Sequence, residues 1–470
     1  MIRGPETTAI PGRNPIELGN EGIDVKKKTI VNGWLFIPGS MVFASFVWGV
    51  VQEIPGVMLK SLDVSNSLIG LTSLLGLPMA FRFLFGPLID HHGTKRLWVL
   101  RMQRIITGLM LLAAGLCGLF LAMGNAAEKM PFLMGLFACL AFCSVFHDVA
   151  WGGFFLTAVD ERDKALFVGI NSAFIRLAII FSQGFMVILA GKIGTATGEV
   201  MAGWATCFAV LGGIQLVLMV YHHFIYPYPT LDKPIEKAER ESFIKVFARF
   251  FDQPRAWVIV IFVFLYRLGE GLLARMKIPF LMDSVEAGGL GLSLEHIGVM
   301  NGVFTVLAMV AGGVLGGLMV KKVGLRKTIF PFALLMTVPN LGFVWLASHP
   351  VYTMVQFAGL EINPWALAAL LVEAFGYGMG FASFGFLHCE ASRGPYRATF
   401  FAMMTGVMTL SWILTGSLSG IVQAQVGYVW LFIFSVIFAL PGIIMIAWLP
   451  LKELEERGKQ EDAARKEAGL

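Results

Sequence analysis

Long apolar stretches constrain the fold of this chain more than any other feature of its sequence. Twelve segments are apolar over about 20 residues or more, the length that crosses the ~30 Å hydrocarbon core of a bilayer as an α-helix. They lie near 33–55, 66–89, 98–123, 130–156, 166–191, 203–226, 256–282, 297–320, 328–347, 364–389, 399–425 and 428–450. Charged residues make up only 14% of the 470 residues, against roughly 25% in soluble proteins. The sequence therefore predicts an all-α integral membrane protein with twelve transmembrane helices.

The distribution of lysine and arginine predicts the orientation of these helices. Most of the 36 Lys and Arg residues lie in the two termini and in alternate loops, and the other loops contain only Lys60, Lys129 and Lys192. Cytoplasmic loops retain positive charge, so we expect both termini in the cytoplasm and the protein in a bacterial inner membrane. The net charge of +5 then reflects membrane topology, and no nucleic-acid partner is expected.

The N-terminus and the cysteines indicate whether the chain carries a secretory signal, disulfides or a metal site. The first 32 residues are polar and lack the pattern of a secretory signal. All five cysteines lie within apolar runs, which does not indicate a disulfide framework or a zinc site. The sequence "HCE" at 388–390 lies at the end of a predicted helix, and no metal or cofactor is expected.

One long loop divides the spans into two sets of six. The predicted domains are a cytoplasmic tail, an N-terminal six-helix bundle, a cytoplasmic linker, a C-terminal six-helix bundle and a charged tail, at 1–32, 33–226, 227–255, 256–450 and 451–470. The linker sequence "EKAERESFIKVFARFF" predicts an amphipathic helix on the inner leaflet. A helix packed on the protein's own cytoplasmic ends explains the same pattern.

The two sets of spans contain matching motifs. The loop "GPLIDHHGTKR" after the second span and the loop "GLMVKKVGLRK" after the eighth share the spacing of their glycines and basic pairs. The residues involved are Gly86, Asp90, Gly93, Lys95 and Arg96, and Gly317, Gly324, Arg326 and Lys327. "EIPGVM" at 53–58 also matches "KIPFLM" at 277–282. The two bundles are therefore predicted to be duplicates of one six-helix unit.

The first of these loops resembles the signature of the major facilitator superfamily, a Gly-x-x-x-Asp-x-x-Gly-x-basic-basic pattern between spans two and three. Within that superfamily the chain is similar to AmpG-type permeases, the muropeptide and acetyl-CoA transporter group. The stretches that carry this resemblance are "IGLTSLLGLPMAFRFLFGPLID", "FHDVAWGGFF", "LYRLGEGLLARMKIPFLM" and "VEAFGYGMGFASF". The resemblance implies two six-helix bundles around a central cavity that opens alternately to each side of the membrane.

Charged residues within the spans are the candidates for the site. A charge at the bilayer centre costs about 2.5 to 3.5 kcal/mol or more, so these side chains are expected to line the cavity rather than face lipid. The charged candidates are Asp148, Arg176, Arg267, Glu270, Arg275, Lys277 and Glu373, and Trp151, Tyr266, Tyr377 and His147 accompany them. The charged set is net positive, which favours an anionic, polar solute. A glycopeptide or other cell-wall fragment is one example, and sugar acids, small peptides and siderophores fit as well.

Sequence spacing and depth propose partners for these charges. Arg267 and Glu270 are three residues apart and can pair on one helical face. Glu270 is then either half of a structural ion pair or the carboxylate that binds a coupled proton. Asp148 is expected to pair with Arg176.

Two further charges have less direct assignments. Glu373 lies at the depth of Arg275 and is its expected counter-charge. His147 is either a relay for protons or a hydrogen-bonded packing residue.

Two further roles are predicted at the ends of the spans. Asp90 is expected to accept hydrogen bonds from a neighbouring helix N-terminus or an arginine, and so to hold the inner ends of the N-terminal half. Glu53 and Lys277 occupy matching positions of opposite charge, each followed by Ile and Pro. They are predicted to close an outer gate, unless each is an independent interfacial charge that reaches water.

The function predicted from the sequence is secondary active transport. No ATP-binding loop is present, and ionisable groups within the membrane favour proton coupling. The expected partners are a small solute, protons and the lipid bilayer, and the protein is expected to be a monomer. The alternative is a non-transporting assembly factor or sensor of the same fold. An enzyme is not expected, because no nucleophile and base occur in a supporting motif.

Overall fold

The computed structural model describes residues 33–124, 129–159, 174–229, 232, 248–253, 255–357, 360–393 and 397–467. The predicted N-terminal tail and nearly all of the predicted amphipathic helix in the linker lie outside these ranges. The described part of the chain is almost entirely helical.

Eleven helical segments of the described chain are long and apolar enough to cross a membrane. The first ten are α1 (Gly33–Gln52), α2 (Asn66–Leu84), α3 (Lys95–Met123), α4 (Met130–Phe155), α5 (Phe174–Thr197), α6 (Val200–Ile225), α7 (Ala256–Met282), α8 (Leu294–Val323), α9 (Leu325–Ser348) and α10 (Pro364–Ala391). The eleventh, Phe400–Trp448, has 49 residues, enough for two crossings. Gly427 interrupts it with φ 76° and ψ 176°. We therefore treat it as α11 (397–426) and α12 (428–445).

Smaller elements connect the spans. The short helix Ile54–Ser61 follows α1, and a two-stranded antiparallel hairpin, β1 (Val355–Phe357) and β2 (Leu360–Ile362), precedes α10. A C-terminal helix, α13 (Leu451–Glu467), follows α12. Several spans are irregular: α7 is broken at Arg267, between Ala256–Tyr266 and Leu268–Met282.

The helices form an N-terminal half, α1–α6, and a C-terminal half, α7–α12. In the first half α3 packs on α6 and α4, and in the second α8 and α9 pack on α10 while α7 packs on α11. We call the end of the molecule where α1 ends and α2 begins the distal end, since it lies opposite the chain termini. One apolar core passes from half to half at the distal end, whereas each half has its own core near the termini.

The halves meet along two seams, α2 against α11 and α5 against α8. Glycine brings the backbones together in both. A Cβ at Gly420 of α11 would lie 1.8 Å from the backbone oxygen of Asn66. A Cβ at Gly302 of α8 would lie 2.2 Å from the backbone oxygen of Gln183 on α5. Any larger residue at either position would push the two halves apart.

The two matching loops of the sequence have matching structures. Gly93 and Gly324 both adopt positive φ, 125° and 93°, a region that favours glycine. Each loop leads into a helix whose first N–H groups are capped by a carboxylate from a later segment. The carboxylate of Asp232 accepts from the backbone N–H of Lys95 at 2.8 Å and of Arg96 at 2.9 Å. Glu455 of α13 accepts from the backbone N–H of Arg326 at 3.2 Å.

The remaining residues of the two matching loops have different environments. Arg96 donates to the backbone oxygen of Tyr226 at 3.2 Å and lies over the ring of Tyr228 at 3.7 Å. A Cβ at Gly86 or Gly317 would meet nothing within 4 Å, and Lys327 is exposed. The side chain of Asp90 lies outside the described residues, so its proposed role stays a prediction. The carboxylate found at the start of α3 belongs to Asp232.

Replacing Asp232 by alanine should lower the free energy of unfolding by about 1 to 3 kcal/mol, because two N–H groups at a helix N-terminus lose a charged acceptor. Thermal unfolding of the purified protein, followed by tryptophan fluorescence, measures this. The control is Asp252→Ala, which removes an exposed carboxylate from the same connecting region. Equal stability of the two variants would show that the cap contributes nothing.

Candidate solute and proton site

A buried charged cluster of the C-terminal half lies at the break in α7. Arg267 Nη1 lies 3.0 Å from Glu270 Oε2 and donates to the hydroxyl of Tyr377 at 3.1 Å. The guanidinium also faces the rings of Tyr377 and Phe381, at 5.4 and 5.6 Å from their centres. The Arg267–Glu270 contact predicted from the three-residue spacing is therefore present.

Local structure explains where the carboxylate sits. Arg267 is the residue before the second part of α7, and Glu270 lies in the first turn of that part. Backbone N–H groups in a first turn lack partners within the helix and favour a negative charge. Arg267 is only 6% exposed, and a charge buried to this extent requires a partner. The break in the helix, the arginine and the carboxylate thus form one unit.

A second ion pair lies further along α7. Lys277 Nζ is 3.0 Å from Glu373 Oε2 on α10, and both side chains are largely buried. Glu373 was expected opposite Arg275, and this expectation is wrong. Residues 270 and 277 are two helical turns apart and share a face, whereas residues 275 and 277 point about 200° apart. Lys277 therefore faces α10 and Arg275 faces the other half.

Arg275 connects the two halves. Its Nε donates to Ser73 Oγ at 2.8 Å, its Nη2 donates to Gln52 Oε1 at 3.2 Å, and its Nη1 donates to the backbone oxygen of Gln52. The guanidinium lies 4.8 Å from the centre of the Trp412 ring. Gln52, Ser73 and Trp412 were not identified from the sequence. Uncharged polar residues and tryptophan within an apolar span are often packing residues, so their presence alone does not indicate a site.

The ends of α1 and α7 meet at the distal end, as the gate prediction requires, but through different residues. Gln52 and Arg275 form the contact, and Lys277 is held by Glu373. Within the described chain no ion pair joins Glu53 to Lys277. The match between "EIPGVM" and "KIPFLM" correctly predicted that α1 and α7 meet at this end. It wrongly predicted that Glu53 and Lys277 form the contact.

A polar cluster joins the halves at the distal surface. Lys60 forms an ion pair with Asp283, and the hydroxyl of Tyr428 also donates to Asp283. The amide nitrogen of Asn66 lies 3.0 Å from Asp283, 2.9 Å from Gln423 and 2.8 Å from the Tyr428 hydroxyl. We call Lys60, Asn66, Asp283, Gln423 and Tyr428 the distal cluster. The sequence contained one signal for it, since Lys60 is one of the few cations on that side of the membrane.

The charges of the N-terminal half are less enclosed. Asp148 lies 3.7 Å from Arg82 Nη1, and its side chain is 44% exposed. Arg82 also donates to Thr405 of α11 at 2.6 Å. The predicted pairing of Asp148 with Arg176 is wrong, because Arg82 on α2 occupies the place beside Asp148.

Arg176 is a cation of the site for which the described residues supply no acidic partner. It is half-buried, and its Nη1 lies 4.0 Å from Met309 Sδ on α8, so it sits at the boundary of the two halves. Among the described residues no carboxylate lies within ion-pair distance of it. This guanidinium is therefore a candidate group for binding an anion.

Three candidates have side chains that are largely packed within the cores of their own halves. His147 is 2% exposed and its ring lies 3.3 Å from the amide nitrogen of Gln103, as expected of a packing histidine. Trp151 is buried against Phe36, Phe154, Phe155 and Tyr226. Tyr266 stacks on Phe384 at 4.6 Å. The sequence alone cannot distinguish such packing rings from aromatic rings that stack on a sugar of the solute.

This fold and these membrane-embedded charges define a multi-pass membrane transporter. The Major Facilitator Superfamily model matches residues 36–390 and 289–470, so the chain belongs to this superfamily. The prediction of a transporter rather than an enzyme is confirmed.

Individual relatives place the chain within that superfamily. Anhydromuropeptide permease of Escherichia coli strain K12 is 25% identical over 389 residues, 82% of this chain and 73% of that protein. Putative transporter AmpG 2 of Rickettsia prowazekii strain Madrid E is 24% identical over 397 residues, 83% and 89% of the two chains. The crystal structure of a D-xylose-proton symporter superposes with a TM-score of 0.64 at 13% identity, covering 90% of this chain and 98% of the other. The resemblance to AmpG-type permeases is thus confirmed.

Proposed function

We propose that this protein carries an anionic solute of the muropeptide type, or a related glycan or peptide fragment, together with protons across the bacterial inner membrane. The observation that carries the proposal is the unpaired guanidinium of Arg176 at the boundary of the two halves. A planar guanidinium binds a carboxylate through two parallel hydrogen bonds. A solute carboxylate would supply an acidic partner that none of the described residues provides.

The surrounding charges favour the same solute. Arg82 and Asp148 are partly exposed and 3.7 Å apart, so they can exchange their mutual contact for contacts with a zwitterionic or peptide-bearing solute. The E. coli relative is named for anhydromuropeptide. Such a compound presents carboxylates and amides on one molecule and therefore matches this mixture of charges.

Glu270 is the proposed proton-binding residue. Its carboxylate is buried and forms an ion pair with Arg267. It belongs to α7, which also contacts the N-terminal half through Arg275. Binding a proton would release Arg267 from its counter-charge. The same helix can transmit that change to the contact between the halves, which is the requirement for coupled transport.

Alternating access would open and close the distal end. The distal cluster and the contacts of Arg275 with Gln52 and Ser73 form two layers of inter-half hydrogen bonds, and the shared apolar core lies beside them. With both termini in the cytoplasm, the distal end faces the periplasm. These layers are then the outer gate, closed in this conformation.

Arg176→Gln tests the solute proposal. Loss of a charged hydrogen-bonding partner, about 1.5 to 3 kcal/mol, should weaken binding of an anhydromuropeptide by roughly 10- to 150-fold. The amidated form of the same compound, which lacks the carboxylates, should bind to the wild type and to Arg176→Gln with nearly equal affinity. Isothermal titration calorimetry on the purified protein measures both, and Lys192→Gln, an exposed cation of the same helix, is the control.

Equal binding by Arg176→Gln and Lys192→Gln would refute Arg176 as the anion site. Uptake into proteoliposomes completes the test of function. Binding without uptake under any imposed gradient would favour the non-transporting sensor over the transporter.

A further inference from the structure

A small cavity lies inside the C-terminal half, behind Glu270. It is lined by Tyr266 and Glu270 of α7 and by Thr337 and Asn340 of α9, and apolar side chains of α9 and α12 complete it. Its volume is about 10 Å³, and a cavity of roughly 10 to 15 Å³ holds one water molecule. All of its lining residues belong to the C-terminal half, so it is separate from the boundary where Arg176 lies.

Apart from Glu270, the polar side chains around this cavity have no hydrogen-bond partner among the described residues. Asn340 is 4% exposed and Thr337 is 8% exposed, and in the described chain no hydrogen bond joins either side chain to another residue. The buried hydroxyl of Tyr266 also has no partner at hydrogen-bond geometry among the described residues. Thr328 of the same helix shows the usual arrangement, because its hydroxyl donates to the backbone oxygen of Gly324 at 2.9 Å.

Such groups indicate a bound molecule. A buried amide or hydroxyl without a hydrogen bond costs about 1 to 3 kcal/mol, and a buried water typically makes about three hydrogen bonds to groups of this kind. Arg267 uses one oxygen of the Glu270 carboxylate, and the second oxygen remains able to accept. Carboxylate, amide and hydroxyl together supply both acceptors and donors for one water.

We propose that a single water molecule occupies this cavity, hydrogen-bonded to Glu270, Thr337 and Asn340, and that it is the group with which Glu270 exchanges its proton. The proposal rests on the proton-binding role of Glu270. It adds that the proton reaches Glu270 from within the C-terminal half, away from the solute at the boundary.

The charges around Glu270 favour a neutral occupant over a metal cation. Arg267 on the same helix already neutralises Glu270 at 3.0 Å. Glu373 and Lys277 neutralise each other nearby, and the Tyr377 hydroxyl accepts a hydrogen bond from Arg267 without adding charge. A sodium ion in the cavity would face the guanidinium with no unpaired carboxylate to hold it.

Thr337→Val and Asn340→Leu remove the two α9 partners of the water. Uptake driven by a pH gradient into proteoliposomes should slow by roughly tenfold, the effect of losing about one hydrogen bond. Exchange of solute at equal pH, which needs no net proton transfer, should keep its rate. Thr328→Val makes the same chemical change on the same helix, at a hydroxyl satisfied by its own backbone, and should leave both rates unchanged.

A crystal structure at a resolution that shows other buried waters gives a direct readout. Density within hydrogen-bond distance of Glu270, Thr337 and Asn340, lost in Thr337→Val, is expected. An empty cavity in the wild-type protein would overturn the proposal, and so would stabilisation by sodium chloride over choline chloride that Asn340→Leu abolishes. If Glu270→Gln abolishes driven uptake while Thr337→Val and Asn340→Leu match Thr328→Val, the water site is refuted and the proton role of Glu270 stands.

Discussion

Replacing Glu270 by glutamine should abolish accumulation of solute against its gradient while solute exchange continues. Glutamine keeps the size of the side chain and cannot bind or release a proton. For one coupled proton, a pH gradient of one unit corresponds to about 1.4 kcal/mol and drives about tenfold accumulation. The variant should reach only equal concentrations on both sides.

Proteoliposomes with an imposed pH gradient measure accumulation, and preloaded vesicles at equal pH measure exchange. Glu390→Gln is a matched control, because Glu390 forms the same kind of pair with Arg393 three residues away, at 2.8 Å, near the chain termini. It should accumulate solute like the wild type.

The structural interpretation of Glu270 predicts a different result. If the carboxylate only neutralises Arg267, then glutamine leaves a buried cation unpaired, which costs about 3 to 5 kcal/mol. Stability would fall, and accumulation and exchange would fall together. A constant ratio of the two rates across wild type, Glu270→Gln and Glu390→Gln would therefore exclude proton binding at this position.

Breaking the distal cluster should shift the protein towards a conformation open at the distal end. Asp283→Asn removes the charge that Lys60 and Tyr428 share. A change of about 1 to 3 kcal/mol, typical of conformational coupling, alters the ratio of the two conformations by roughly 5- to 150-fold. Lys60→Met should act in the same direction. The swap Lys60→Asp with Asp283→Lys should restore part of the closed population.

Spin labels at Asp63→Cys and Glu286→Cys, two exposed distal positions on opposite halves, report the distance by double electron–electron resonance in a variant without the native cysteines. Lys192→Gln, which removes a distal cation on α5, is the control. Identical distance distributions in Asp283→Asn, the swap and the control would show that the cluster does not hold the gate.

The sequence correctly predicted features that depend on a single helix or loop. The three-residue spacing of Arg267 and Glu270 was enough to predict their contact. The matching glycines, which indicated duplicated units, both adopt positive φ, at Gly93 and Gly324. These features depend only on helix geometry or on the backbone preference of glycine.

Contacts between helices were harder to predict. Depth in the membrane is known only to within a turn or so from the sequence, and side-chain direction depends on how each helix is rotated. Glu373 was therefore assigned to Arg275 when it pairs with Lys277. The break at Arg267, which sets the rotation of the second part of α7, is followed by Gly269 and Gly271. Glycines also occur inside the unbroken helix α3, so they did not locate the break.

The glycine seams have a consequence for the speed of transport. Where side chains interlock, they must disengage and change rotamer before two surfaces can slide. At Gly420 and Gly302 backbone lies against backbone, with no side chain to withdraw. Under the proposed alternating access, we therefore expect the activation barrier for rocking to arise mainly from the hydrogen bonds at the distal end. Substitutions there should change turnover without altering the surfaces that slide.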